Sequence, residues 1–164
     1  MKSRLTLLLT VALSTFTHAQ AQSQAHAENP AWKPVPGKLM TRWAKDVSPD
    51  NPWPQYPRPT MVREKWQNLN GLWDYAIFET AKAPKTRGND WQGKILVPFP
   101  IESSLSGVGK ELNPGQTLIY RRTFSVPPDW RTNGQRVLLH FGAVDWHAVV
   151  DLNGKPIGEH AGGF

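Results

Sequence analysis

The 164-residue chain has no cysteine, which excludes a disulfide framework, a Cys-ligated metal site and a thiol nucleophile together. Long hydrophobic runs are missing too. Leu5 to Phe16 is uncharged over 12 residues, short of the roughly 20 that a membrane-spanning helix requires. No segment carries a convincing helical period of apolar residues. Neither standard Gly-rich phosphate loop occurs, and no Ser-His-Asp grouping has the flanking pattern of a hydrolase triad. Basic residues number 19 against 13 acidic, a net charge of +6. Without Lys2 and Arg4 the balance is 17 against 13, or +4, and no basic run concentrates it, so nucleic acid is not an expected partner.

Those two N-terminal charges precede the short apolar run, and small residues follow at Ala19 and Ala21. A charged start, an apolar middle and a small-x-small exit are the parts of a secretory signal peptide. Residues 1–21 are therefore expected to be removed before Gln22, with cutting after Ala19 or Ala27 as alternatives. The mature protein is expected in the periplasm or the medium, with no membrane contact once the leader is gone.

From Asn29 to Pro59 the composition changes, for eight of the 15 prolines fall there: Pro30, Pro34, Pro36, Pro49, Pro52, Pro54, Pro57 and Pro59. Dense proline removes backbone donors and holds the chain extended, so neither a helix nor a central strand is expected. Trp32, Trp43, Trp53 and Tyr56 are interleaved with the prolines. This marks residues 22–60 as an extended arm whose aromatics pack on a domain surface, or else offer stacking platforms to a sugar ring.

Beyond Met61 the period changes to two, the mark of half-buried strands. In Leu72 to Phe78, the residues Trp73, Tyr75 and Ile77 share a face. Lys94 to Val97 is a short apolar run ended by Pro98 and Pro100. Leu118 to Val126 sets Leu118, Tyr120, Arg122, Phe124 and Val126 on one side. Arg136 to Phe141 aligns Val137, Leu139 and Phe141. His147 to Leu152 and Ile157 to His160 meet through Asn153-Gly154, the dipeptide suited to the two positive φ angles of a type I′ hairpin turn. Pro156 places that hairpin beside an edge. Short strands punctuated by Pro and Gly indicate an antiparallel β-sandwich over residues 61–164. His140, His147 and His160 lie on separate expected strands without a helical i, i+4 pair or a carboxylate cluster, so no metal site is expected.

Three ordered motifs then carry a resemblance. Leu69-Asn70-Gly71-Leu72-Trp73, Tyr120-Arg121-Arg122-Thr123-Phe124, and the long phrase from Leu138 through Phe141-Gly142-Ala143-Val144-Asp145-Trp146 and Asn153-Gly154 to His160-Ala161-Gly162-Gly163-Phe164 resemble glycoside hydrolase family 2. Pro57-Arg58-Pro59 is similar to the lead-in of such enzymes, so the resemblance covers about residues 57–164. It implies the N-terminal sugar-binding domain of a β-galactosidase or β-glucuronidase, a jelly-roll sandwich of galactose-binding-domain type, incomplete at its C-terminus.

Retaining glycosidases hold two carboxyl groups about 5 to 5.5 Å apart. In the resembled family both come from a (β/α)8 barrel, which alone needs about 250 residues. Glu28, Glu64, Glu79, Glu102, Glu111 and Glu159 are scattered, none in a phrase resembling a catalytic one. The chain by itself is thus expected to be inactive, with no catalytic residue and no cofactor of its own. It is expected to be a truncated gene product, a partial sequence or a cut chain.

Family members border their active-site mouth with a Val-Pro loop, which corresponds to Val97 to Gly109. Glu102 and Ser103 are the candidate substrate-binding residues there, able to accept from and donate to sugar hydroxyls. Several β-galactosidases place an asparagine in this loop. Asp145 is expected to cap a turn or accept a bond from Arg121 or Arg122, and Gly142 and Ala143 to leave room for Trp146 to pack. The expected partners are a β-linked glycoside and the remaining domains of a parent enzyme. A free-standing carbohydrate-binding or structural β-sandwich module is the alternative.

Overall fold

Large apolar residues at every second position along Gly71–Glu79 set Trp73, Tyr75 and Ile77 on one side of the backbone, and such a strand gains stability only against a partner surface. The structure, a computed structural model, describes residues 32–53, 63–82, 90–132 and 134–162. This segment is its central strand, β1 (Gly71–Glu79), flanked by β2 (Gly93–Val97) and β3 (Gln116–Arg121) in an antiparallel sheet of order β2-β1-β3. β4 (His147–Leu152) and β5 (Lys155–Ala161) make a separate antiparallel pair. Among the described residues the helical pieces are three 3-10 turns, at Arg42–Asp46, Thr80–Lys82 and Pro128–Arg131. The architecture is all-β and antiparallel, as the alternation requires. No described helix is long and apolar enough to cross a membrane.

Register decides which side chains meet. Trp73 stands opposite Ile95, Tyr75 opposite Tyr120 and Ile77 opposite Leu118. On this face Tyr75, Ile95 and Ile101 are buried, and Trp73, Ile77, Val108, Leu118 and Tyr120 pack against them. The opposite face pairs Leu72 with Leu96 and Ala76 with Ile119. Ile95 and Leu96 are both fully enclosed, so β2 is covered on two sides, which explains why its sequence is a continuous apolar run. Each of these side chains contributes about 1.5–3 kcal/mol through burial.

The loop leaving β2 folds back over the core. Ile101 enters the apolar cluster, and the buried Ser106 hydroxyl donates to the Ile101 and Ser103 carbonyls at 3.0 and 2.8 Å. The same oxygen accepts from the Val108 and Gly109 amides at 3.0 and 3.3 Å. Leu96 N–H donates to Ser106 O at 2.9 Å, which fastens the loop along the outer edge of β2. Part of the proline-rich arm docks here. Trp32 Nε1 donates to Leu105 O at 3.2 Å, Val35 N–H to Ser104 O at 3.0 Å, and Ser104 Oγ to Val35 O at 2.7 Å. Gly107, at φ 78°, lies so close under Trp32 that a Cβ would stand 2.7 Å from its ring. Further along the arm Trp43 and Trp53 stay 61% and 49% exposed, while Pro52 is buried. The 3-10 turn at Arg42–Asp46 departs from the expected absence of helix, and it occupies the proline-free interval between Pro36 and Pro49.

The hairpin forms at the expected dipeptide, with Asn153 at φ 52° and Gly154 at φ 77°. Pro156 pairs with Asp151 just past a register shift, in a two-stranded sheet where every strand is an edge. Three other expectations fail in this region. Residues 136–141 form no strand and pair with no described strand, leaving Leu138 63% and Phe141 49% exposed; alternation alone supplies no partner to offset the cost of ordering a strand. His140 from this run rests against the Trp66 ring at 5.7 Å. Trp146 is 70% exposed, so the small residues at Gly142 and Ala143 do not admit it to a core. β3 stops at Arg121 rather than Val126, and Gly71, Leu72 and Trp73, which precede its last partner Asp74, pair only with β2. The expected leader, Tyr56, Pro57-Arg58-Pro59, Gly163 and Phe164 lie outside the described residues.

Candidate functional site

β1 begins where β2 ends, with Gly71 opposite Val97, and β3 ends three pairs further in, with Arg121 opposite Asp74. The Val-Pro loop, the Leu69-Asn70 lead-in and the two arginines therefore converge on one end of the sheet.

Within the loop the two expected site residues play unequal parts. Ser103 Oγ donates to Pro100 O at 2.8 Å and accepts from Ser106 N–H at 3.1 Å, so its hydroxyl is engaged in shaping the turn. Glu102 is exposed, and its charge acts on the Tyr120 hydroxyl. Burial first, and the Glu102 charge second, push the Tyr120 hydroxyl up to about 12. Held protonated at neutral pH, the Tyr120 hydroxyl can both donate and accept, and the Glu102 side chain offers oxygen acceptors to a ligand hydroxyl.

The opposite face carries a charged row that the strand pattern did not disclose. Lys94, Asp74 and Arg121 stand side by side across β2, β1 and β3. Lys94 Nζ lies 2.6 Å from one Asp74 oxygen, while Arg121 Nε and Nη2 bond the other at 3.0 and 2.9 Å. Burial opposes charge on Asp74, but the hydrogen bonds and charges of Lys94 and Arg121 outweigh it and hold the carboxyl below its ordinary value. The Arg121 guanidinium also lies 4.3 Å over the Trp91 ring. Arg122, one residue on, projects to the other face and donates to Asn70 O at 3.0 Å, and burial lowers its pKa. The expected bond from Arg121 or Arg122 to Asp145 is therefore replaced: both arginines are drawn to β1 and its lead-in by strand register.

An open cleft of about 250 Å³ lies beside that lead-in, lined by Asp50, Asn51, Pro52, Asn68 and Asn70. Asn68 Oδ1 accepts from Asn70 N–H at 2.8 Å, and Asn51 N–H donates to Ser48 Oγ at 3.1 Å, so both walls are braced locally. Asn70 Nδ2 is buried with no hydrogen-bond partner among the described residues. Sequence reasoning treated Asp50, Asn51 and Pro52 as arm and Asn70 as a strand motif. Their spacing of about 20 residues carries no local signal that they meet. Among the described residues no three His, Asp or Glu side chains gather as metal ligands do.

No protein-family model matches the chain. The β-glucuronidase of Paenibacillus borealis is 31% identical over 117 residues, which is 66% of this chain and 18% of that enzyme. The β-glucuronidases of Felis catus and Canis lupus familiaris are 29% and 28% identical over 118 residues each, with the same shares. The chain thus spans about a fifth of the length of the curated relatives it matches.

Proposed function

Because two thirds of the chain is homologous to β-glucuronidases and forms a glycoside hydrolase family 2-like domain, we propose that it is the N-terminal sugar-binding portion of an exported family 2 enzyme that hydrolyses a β-linked glycoside. The relatives' names favour a β-glucuronide within that class. The two reactive carboxyl groups reside outside these 164 residues, on a barrel of the parent enzyme, and the sheet closes there into a jelly-roll sandwich. Glu102 accepts a substrate hydroxyl at the mouth of the pocket. Ser103 holds the loop that presents it and keeps one oxygen lone pair for the sugar.

The observation that carries this is the coincidence of homology with the β1, β2 and β3 register, which brings the Val-Pro loop and Glu102 to one end of the sheet. The test is turnover of aryl β-glucuronides and β-galactosides by the purified chain. The expected rate equals that of buffer, and joining the chain to its downstream coding sequence is expected to restore hydrolysis. Turnover by the 164 residues unaided overturns the proposal. Export is tested separately by the mass of the mature N-terminus, expected to begin at Gln22.

A further inference from the structure

Proline decides how the arm can bond. In Pro34-Val35-Pro36 the prolines have no backbone donor, so the Val35 N–H is the one amide donor of the three, and a residue ahead of proline is held extended. That amide donates to Ser104 O at 3.0 Å, and the buried Ser104 hydroxyl donates back to Val35 O at 2.7 Å. Trp32 Nε1 adds its bond to Leu105 O. The loop backbone is shaped to receive these groups. Gly107 and Gly109 stand at φ 78° and 65°, and a Cβ on them would lie 2.7 Å from the Trp32 ring and 3.0 Å from Val35 Cγ1. Two left-handed glycines with no space for a side chain under the arm make this a fitted contact.

What the arm grips is the turn that carries Glu102. Ser103 N–H donates to Pro100 O at 2.9 Å, which places Ile101 and Glu102 at the two corners of a turn. Ahead of Glu102, Ile101 is sunk in the apolar core; behind it, Ser103 runs directly into Ser104 and the bonds to Val35. Ser106 gives the loop its internal shape and a tie to β2, while the arm seats Ser104. Two anchors, one in the core and one on the arm, thus set the direction in which the corner points. Freed from the arm, the turn can pivot about Ile101. We propose that Trp32 and Val35 are positioning residues, a strap that acts through Ser104 and Leu105 to hold the Glu102 turn at the site end of the sheet. This deepens the function proposed above and rests on its assignment of Glu102 to the substrate.

A chain without cysteine takes a single thiol label wherever one is introduced. A nitroxide on Glu102→Cys is expected to gain mobility when Trp32→Ala is added, its correlation time falling about twofold. One on Lys82→Cys, past the far end of β1, is expected to stay unchanged. Ser104→Ala, which removes the bond to Val35 O and leaves the indole in place, is expected to act in the same direction. Tyr120 supplies the readout that general loosening would not give, because burial and the Glu102 charge both raise its phenol. Trp32→Ala is expected to move that ionisation down by as much as Glu102→Gln does, and to move it no further once Glu102→Gln is in place. The proposal is overturned by an unchanged label at position 102, by an equal gain of mobility at position 82, or by a Tyr120 shift of the same size in both backgrounds. Neither signal involves a sugar or turnover, so these outcomes are read separately from the hydrolysis assay that tests the parent function.

Discussion

Asp74 has the most demanding position of any charged residue in the sheet, with Lys94 on one side and Arg121 on the other. Its carboxyl sits below the ordinary 3.8, so it contributes stability that is present above that value and is lost as pH falls through the folded one. A urea titration series should show a falling midpoint below pH 3.8, and Asp74→Asn should flatten that acid limb. At neutral pH the substitution should cost about 1–2 kcal/mol, because Lys94 and Arg121 are partly exposed and can turn to water. Tyr120 gives the opposite case. Its phenol ionises near 12 in the folded chain and near 10.0 when unfolded, so its share of stability holds below 10.0 and drains away as pH rises towards 12. Absorbance titration of the phenolates should find one late tyrosine, and Glu102→Gln should move its ionisation down only in part, since burial is the larger cause. An unmoved titration in Glu102→Gln would place Glu102 away from the phenol and weaken its assignment to the site. The partners of neither residue were legible from alternation, which fixes the face of a side chain but not its neighbour on the next strand.

At the scale of elements, what could be read locally was read correctly. The β1 and β2 segments, the placing of Leu118 and Tyr120 on the core face, and the Asn153-Gly154 turn all follow from period, punctuation and φ preference. What depended on a distant partner was not. Residues 136–141 have the period of a strand and no described strand to pair with, and Asp50 meets Asn70 only through the path of the arm. The Ser106 turn is the element whose chemistry is most testable. Its one hydroxyl serves two amides and two carbonyls in a place without solvent. Ser106→Ala should lower stability by about 2 kcal/mol, measured by urea unfolding, because the donors it satisfies remain buried. Gly107→Ala should detach the arm instead. The new methyl group at φ 78° would meet the Trp32 ring, so Trp32 fluorescence and protease sensitivity near residue 38 should rise while the sheet persists.

Across the molecule as a whole, apolar burial is unevenly shared. Every buried hydrophobic side chain among the described residues lies between Tyr75 and Ile101, whereas Val137, Leu138, Leu139, Phe141, Val144, Trp146, Val149, Leu152 and Ile157 are all 39% or more exposed. Monomeric proteins rarely leave apolar surface this continuous along one stretch of chain, because water is excluded more cheaply by contact with another surface. β4 and β5 add two open strand edges to the same region. His147 Nε2 and Glu159 Oε1 lie 2.7 Å apart across the hairpin, a contact that blunts the edges little. The 164-residue chain should therefore self-associate as its concentration rises. Sedimentation velocity should show the weight-average mass increasing, and Leu138→Lys with Trp146→Lys should return it towards the monomer. Since both side chains project into solvent and neither contributes to the Tyr75, Ile95 and Ile101 core, the double variant should unfold at the same urea concentration as the parent chain. A lower unfolding midpoint would mean that residues 137–146 pack against the first sheet in solution, and that the exposed stretch is part of the fold's own interior.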